Sequence, residues 1–440
     1  MCVYVHVHVH LYFEIILRTM RDACNTGQTN EESFYLFCLI SSRSVQKHKG
    51  NSESLRLSHI FIELLLQFKF YKLSYLRLAS EIRMIDSNED LSKLLRALFL
   101  AVIALVAWNL HVFLLKLKLT IQGVLYLFFC NDKKWKTPTD PGIIFQEELD
   151  DDSKAEGLEK KTVIFVRHGE STWNETFNKG ERSLIVFIVG WLPNLVKALL
   201  YEAYLLLSGQ VDSWFYDSPM SHYGLEQVSK LRDFLGKEIS GVEREIHHLR
   251  TLRGEDGGST SIIVSSNLRR ALSTIAGGFC DRLDRRPGDK IHIVPSLQEI
   301  SRNPDTLSIT PGQSNVTASW IEKYSDICDF QSIFDNRCNM KLHRGNKPIN
   351  TNGLLRMNEF CNFVFSTEEE AIIVGGHSIW FRSFFRTFLP YTVDHPSKSR
   401  KVVNCGVVAF TLMRKPGKIG GKVSFVIDPR SIDVVYGGFT

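Results

Sequence analysis

The sequence predicts an α/β fold, and three stretches carry the prediction. In each, a short apolar run gives way to glycine or small polar residues and then to a helix-like segment. The runs are Val163-Ile-Phe-Val before Arg167-His168-Gly169, Ile262-Ile-Val before Ser265-Ser266-Asn267, and Ala371-Ile-Ile-Val before Gly375-Gly376-His377. Short apolar runs bounded by turn formers read as buried strands, and strands that alternate with helices build a sheet with helices on its faces. Ligands of such sheets bind beyond the carboxyl ends of the strands. His168 and His377 both stand at that kind of strand end, and Gly169 lets the chain turn sharply after the first.

The longer strings around these strand ends are more specific. Arg167-His168-Gly169-Glu170-Ser171, with Trp173 and Asn174 following, resembles the opening motif of the histidine phosphatase superfamily, the phosphoglycerate mutase-like proteins. Ser266-Asn-Leu-Arg269-Arg270-Ala-Leu-Ser-Thr274 resembles the second motif of that family, and the match places its phosphate-binding arginine at Arg270. Arg269 falls outside the match and reads as a solvated charge on the helix surface. Gly375-Gly376-His377-Ser378 matches the segment that carries the second pocket histidine, with Arg382 and Arg386 following as surface or supporting charges. Asp217-Ser-Pro-Met-Ser221-His-Tyr-Gly224-Leu-Glu-Gln227 resembles the motif that opens the family's next helix. The resemblance implies a three-layer α/β/α sandwich over residues 161–440, with further strands near 407–413 and 423–427. It covers most of that stretch, apart from an insertion at about 181–212 and a glycine-containing loop at 254–260.

The resemblance also implies a mechanism. His168, as a neutral imidazole, would attack phosphorus and form a phosphohistidine, which splits one hard transfer into two easier ones. Arg167, Arg270 and a protonated His377 would bind the phosphoryl oxygens, because charge-assisted forks suit the charge that gathers there. Asn174 is a further phosphate-binding candidate, and Ser171 and Ser378 are candidates to bind the phosphate or orient the imidazoles. The general acid is expected at Glu299, because Leu297-Gln-Glu299-Ile300, after the short strand at 291–294, resembles the acid-bearing segment of phosphatases such as fructose-2,6-bisphosphatase. The continuation Ser301-Arg302-Asn303-Pro304-Asp305 lacks the glycine-rich run of those relatives, so Asp305 stands as the alternative. The expected site needs neither a metal nor a cofactor.

A phosphomutase of the same family is the rival reading, and a silent binding scaffold is the third. Mutases carry their acid in a Glu-Arg-His-Tyr-Gly string, which this chain lacks, and an insertion replaces the Gly-Trp pair that follows their first motif. The presence of Arg167, His168, Arg270 and His377 together speaks against a silent scaffold.

Two apolar regions lie outside this pattern. Residues 97–115 carry only Asn109 and His111 as polar exceptions, between Lys93 and Arg96 on one side and Lys116 and Lys118 on the other. That length can cross ~30 Å of hydrocarbon as a helix. A second stretch, 119–130, ends at Lys133, Lys134 and Lys136, so 97–130 is a candidate transmembrane or membrane-associated segment; a buried helical hairpin is the alternative. Within the insertion, 184–207 is apolar except for Asn194, Lys197 and Glu202, with Pro193 near its centre. Because motifs of one site flank it, a single crossing is excluded. Two short helices around Pro193, lying in a membrane interface or over the site, are expected, with a lid or oligomer contact as the alternative.

Residues 1–136 therefore read as a helical, membrane-associated region, 137–160 as a solvated linker with its Asp150-Asp-Asp152 run, and 161–440 as the catalytic domain. The alternation Val5-His6-Val7-His8-Val9-His10 offers three imidazoles to a metal, although a repetitive coding stretch or misplaced start codon explains it as well. Nine cysteines without CxxC spacing give neither a disulfide framework nor a zinc site. A net charge of +5, with lysines beside the apolar runs, suits an anionic membrane surface more than nucleic acid. Asn174-Glu-Thr176 and Asn315-Val-Thr317 match glycosylation acceptors, yet modification at Asn174 would conflict with a pocket role. The expected partners are a phosphorylated small molecule, lipid or protein as substrate, and a membrane. The expected location is a membrane with the catalytic domain in the cytosol, or else the cytoplasm alone.

Overall fold

The computed structural model describes residues 88–150, 158–180, 182–238, 241–415 and 423–440, and the chain divides into two units, Met1–Val102 and Ile103–Thr440. The His6–His8–His10 alternation lies outside the described residues. In the described part of the first unit the chain is already helical, within α1 (Asn88–Trp108). A second helix, α2 (Leu110–Phe129), follows.

The strands begin with β1 (Glu159–Arg167), which leads into α3 (Thr172–Phe177), α4 (Leu184–Leu207), α5 (His222–Gly236) and α6 (Glu243–Arg253). Next come β2 (Ser261–Ser265), α7 (Arg269–Gly278), α8 (Cys280–Arg285), β3 (Ile291–Ile293), α9 (Phe330–Arg337) and β4 (Cys338–Asn339). The chain closes with α10 (Gly353–Val364), β5 (Ala371–Gly376), α11 (Ser378–Phe388), β6 (Val407–Lys415), β7 (Ser424–Ile427) and β8 (Asp433–Tyr436). The described strands form one sheet in the order β4-β3-β2-β5-β1-β6-β7, with β8 also on β6. From β4 to β1 the neighbours are parallel, and β6, β7 and β8 add antiparallel pairs at the far side.

Alternation along β1 sets up two cores. Ile164 and Val166 face a cluster with Val228 and Leu231 of α5, Leu252 of α6, and Leu272 and Ile275 of α7. Val163 and Phe165 face the opposite cluster with Met357 and Phe360 of α10 and Trp380, Phe381 and Phe384 of α11. Successive strand residues point to opposite faces, so one strand buried on both sides needs an unbroken apolar run. The Phe165 ring stacks on Phe381 with centroids 4.0 Å apart, near the middle of the second core. The result is the expected sandwich of helices, sheet and helices.

Three expectations about segments outside the sandwich are corrected. The run 97–115 is not one helix: it is interrupted at Asn109, whose side-chain amide donates to the Leu207 carbonyl at 2.8 Å and so serves the end of α4. The insertion is a single 24-residue helix through Pro193, not two short ones. Proline costs one backbone hydrogen bond and crowds the preceding turn, yet the helix continues through it. The stretch from 137 is not a free linker up to β1: Phe145 is fully buried against Met413 and Val426, and the Asp140 carboxylate accepts the Tyr391 N–H.

Helices α2 and α4 run antiparallel and are stapled by their polar exceptions. The Lys116 ammonium pairs with the Glu202 carboxylate at 2.6 Å and donates to the Asp212 carbonyl, while Glu202 also accepts from Ser213 and Trp214. Charged residues in apolar helices are costly unless partnered, which accounts for both. The remaining surfaces are strongly apolar and exposed: of α4 only Ala198 and Leu205 are buried. Both α2 and α4 are long and apolar enough to cross a membrane.

Candidate active site

Parallel pairing brings the two histidines together. Arg167 at the end of β1 is in register with Gly376 at the end of β5, and the His168 N–H donates to the Gly376 carbonyl at 3.0 Å. The residues that follow each strand, His168 and His377, therefore leave the sheet side by side, with ring centroids 5.1 Å apart. β2 lies on the other side of β5, and Ser266 just beyond it meets His377 Nε2 at 2.9 Å through its hydroxyl. Arg270, the second residue of α7, lies close enough to act on both rings electrostatically.

The backbone around His168 selects its tautomer. Nδ1 lies 2.6 Å from the Gly169 carbonyl, which can only accept, so Nδ1 carries the proton and Nε2 keeps its lone pair. Three contacts hold this loop: Gly169 N–H donates to Thr274 Oγ1, Glu170 N–H donates to Gln227 Oε1, and Asn404 Nδ2 donates to the His168 carbonyl. Gly169 has no left-handed backbone torsion. Its missing side chain instead admits the backbone of Gly224, whose oxygen would lie 2.8 Å from a Cβ there.

The electrostatics favour neutral imidazoles. Burial, joined by the nearby Arg270 and Arg167, pushes His168 well below the ordinary imidazole range. Burial, Arg270 and His168 do the same to His377. The pocket by itself thus keeps His377 neutral, and the protonated form expected from sequence requires the negative charge of a substrate beside it. Burial also lowers Arg167 to about 10, against the pull of Glu299.

Several polar atoms of this pocket are buried without a hydrogen-bond partner: Arg167 Nε, Arg270 Nε, His377 Nδ1 and Asp305 Oδ1. Unpaired buried polar atoms are rare and costly, and two guanidinium donors beside a pair of imidazoles are suited to an anion. Part of each arginine is tied down. Arg167 Nη1 donates to the Val402 carbonyl at 2.6 Å, and Arg270 Nη1 donates to the Asp305 carbonyl at 2.7 Å. Arg270 Nη2 also pairs with Asp305 Oδ2 at 3.1 Å, so a carboxylate occupies part of the fork.

The other expected residues fall into place unevenly. Glu299 is buried, and its carboxylate accepts the Ile300 N–H at 2.9 Å, the Trp380 N–H at 2.8 Å and the Ile379 N–H at 3.3 Å, at the start of α11. Ser171 caps α3 by accepting the Asn174 N–H. Ser378 is buried as the first residue of α11. The Asn174 side-chain oxygen accepts from Asn178 Nδ2 at 2.6 Å. Arg269 is no surface charge: it is buried, with its guanidinium on Asp212 at 2.7 Å and its N–H on Asp217.

Sequence reading missed the buried cluster that supports the Glu299 loop. Asp132, fully buried, takes ion pairs from Lys347 and Arg356 and accepts the Ser301 N–H at 3.0 Å. The Lys347 ammonium also donates to the Glu299 and Ser301 carbonyls, and burial lowers it to about 8. Arg356 donates to the Ser296 and Gln298 carbonyls. No local motif marks these residues, nor Asn404.

No family model and no curated protein matches the chain. Solved structures to which it is similar include several named as phosphatases, all at low identity. A mycobacterial glucosyl-3-phosphoglycerate phosphatase is 13% identical with a TM-score of 0.28, covering 64% of this chain and 100% of that one. A putative alpha-ribazole-5'-P phosphatase from Escherichia coli is 14% identical, TM-score 0.27, covering 62% and 98%. The ecdysone phosphate phosphatase of Bombix mori, complexed with tungstate, is 15% identical, TM-score 0.28, covering 60% and 92%.

Proposed function

We propose that this chain is a histidine phosphatase, a phosphohydrolase that works through a phosphohistidine on His168. The observation that carries the reading is the set of unpaired, buried Arg167 Nε, Arg270 Nε and His377 Nδ1 around the His168 ring, whose Nδ1 is committed to the Gly169 carbonyl. Phosphate supplies the acceptors those donors lack, and its phosphorus is what the imidazole lone pair attacks. The arginines stabilise the charge that grows on the phosphoryl oxygens, with His377 gaining its proton as that charge arrives. The proton for the leaving group comes from the loop that carries Glu299 and Asp305. The reading calls for no metal.

The test is phosphate release from a panel of sugar phosphates, phosphoinositides, nucleotides and phosphopeptides, in the presence of a chelator. Turnover of at least one class is expected, without transfer between positions of the same molecule. Transfer without net release would favour the mutase, and silence across the panel would favour a scaffold.

The same reading places the enzyme on a membrane surface. Ile185, Val189, Leu192, Val196 and Leu200 recur at helical spacing on α4, and Ile185 is 76% exposed. Leu117, Ile121, Val124, Leu125 and Phe128 are exposed on its partner α2. Exposed lysines at 133, 134 and 136 follow α2, which suits anionic headgroups. Both ends of α4 return to the catalytic domain, so the helix pair lies in the interface without crossing. Burying a leucine-sized side chain contributes ~1.5 to 3 kcal/mol, more than the charges supply. The full chain is therefore expected to sediment with vesicles containing anionic phospholipid and to stay bound in high salt. Replacing Ile185, Val189 and Leu200 together by glutamate should weaken that binding sharply. A chain that is soluble and monodisperse without detergent would instead mean that protein covers this face.

A further inference from the structure

We propose that Asp305, and not Glu299, is the proton donor of this site, and that Glu299 is a positioning residue that caps α11. The proposal rests on the phosphatase reading and deepens it.

The two carboxyls differ in what their oxygens do. Glu299 accepts three backbone N–H groups, two of them on the first turn of α11, where the helix presents unpaired donors. Oε1 has both of its acceptor sites filled, by Ile300 and Trp380, and Oε2 has one filled, by Ile379, so a proton could be added only at Oε2, beside the Ile379 N–H. Asp305 is different. Its Oδ2 pairs with Arg270 Nη2 at 3.1 Å, while its Oδ1 is buried with no partner. It is therefore the carboxyl that has an unoccupied oxygen and a direct contact with a phosphate-binding arginine.

The environment of Asp305 agrees with this geometry. Burial, opposed by Arg270 and aided by Glu299, raises it to about 6. Substrate strengthens the effect. A phosphate dianion competes for the Arg270 fork, which weakens the pairing that holds Asp305 ionised and sets a like charge beside it. The arrival of the phosphoryl group thus favours the protonated acid at the moment an acid is needed. Glu299 acts at one remove: its cap fixes the start of α11, the turn that follows His377.

The chemistry closes without a co-reactant. As the bond from His168 Nε2 to phosphorus forms, the bond from phosphorus to the leaving oxygen breaks, and that oxygen takes the Asp305 proton and departs as an alcohol. The Asp305 carboxylate then takes a proton from water as the water oxygen attacks phosphorus. The phosphorus–nitrogen bond breaks, inorganic phosphate leaves, and His168 is neutral again. One water is consumed for each ester cleaved.

The experiment compares Asp305→Asn and Glu299→Gln in the full chain on two probes, phenyl phosphate and 2,4-dinitrophenyl phosphate. The first leaving group needs a proton and the second does not. Asp305→Asn is expected to slow phenyl phosphate by ~10²- to 10⁴-fold and dinitrophenyl phosphate by less than ~10-fold, the retained turnover reporting a folded site. Glu299→Gln is expected to slow both probes by a common factor and to lower the unfolding midpoint, as loss of a cap does. The assignment is overturned if the leaving-group dependence appears in Glu299→Gln, or if Asp305→Asn slows both probes equally. If the unsubstituted chain cleaves neither probe nor any of the phosphate panel, the phosphatase reading fails first and takes the assignment with it.

Discussion

Replacing His168 by alanine is expected to remove turnover and phosphoenzyme together. In comparable cases, loss of a nucleophile costs on the order of 10⁶ in kcat, because the remaining groups can stabilise a transition state that nothing initiates. The structure makes the expectation specific to one nitrogen: Nδ1 is committed to the Gly169 carbonyl, so only Nε2 can attack. Labelled substrate quenched in base should leave an acid-sensitive, base-stable phosphate on the unsubstituted chain and none on His168→Ala. His377→Ala, by contrast, should retain some labelling, since that ring binds the phosphoryl group and does not attack it. Labelling that survives in His168→Ala, or that disappears only in His377→Ala, would move the nucleophile.

The second large effect is on stability and falls on Asp132. This carboxylate is fully buried between Lys347 and Arg356 and also accepts the Ser301 N–H. Removing one partner of a buried ion pair costs about 3 to 5 kcal/mol, because the charge left behind is neither solvated nor paired. Here two cations would be left. Asp132→Ala is therefore expected to lose ~3 to 5 kcal/mol or more, a large part of the ~5 to 15 kcal/mol typical of a domain. Denaturant midpoints of the full chain measure it. Activity should fall as well, since Lys347 and Arg356 bind the carbonyls of 296–301 on either side of Glu299. A loss below ~1 kcal/mol, the scale of an exposed pair, would mean that this cluster does not hold the loop.

The strands and both histidines were legible in the sequence for a local reason. A strand buried on two faces must be apolar throughout, and a ligand-binding turn must follow it closely, so the signal of β1, β2 and β5 lies within a dozen residues each. Arg270 was legible through the motif around it. The helical character of α2 and α4 was also written locally, in their apolar composition. What only the tertiary structure decided depends on partners far away in the chain. Asp132 lies 215 residues from Lys347 and 224 from Arg356, so no window of sequence marks it as buried and paired. Arg269 looks like any exposed helix arginine until Asp212 and Asp217 close over it. The roles of Glu299 and Asp305 separate only when α11 and Arg270 are in place, since a carboxyl group is the same in sequence whether it caps a helix or faces a substrate. Residue type and period decide what a segment becomes, whereas burial and the identity of each polar partner decide what a side chain does, and these are properties of the packed chain.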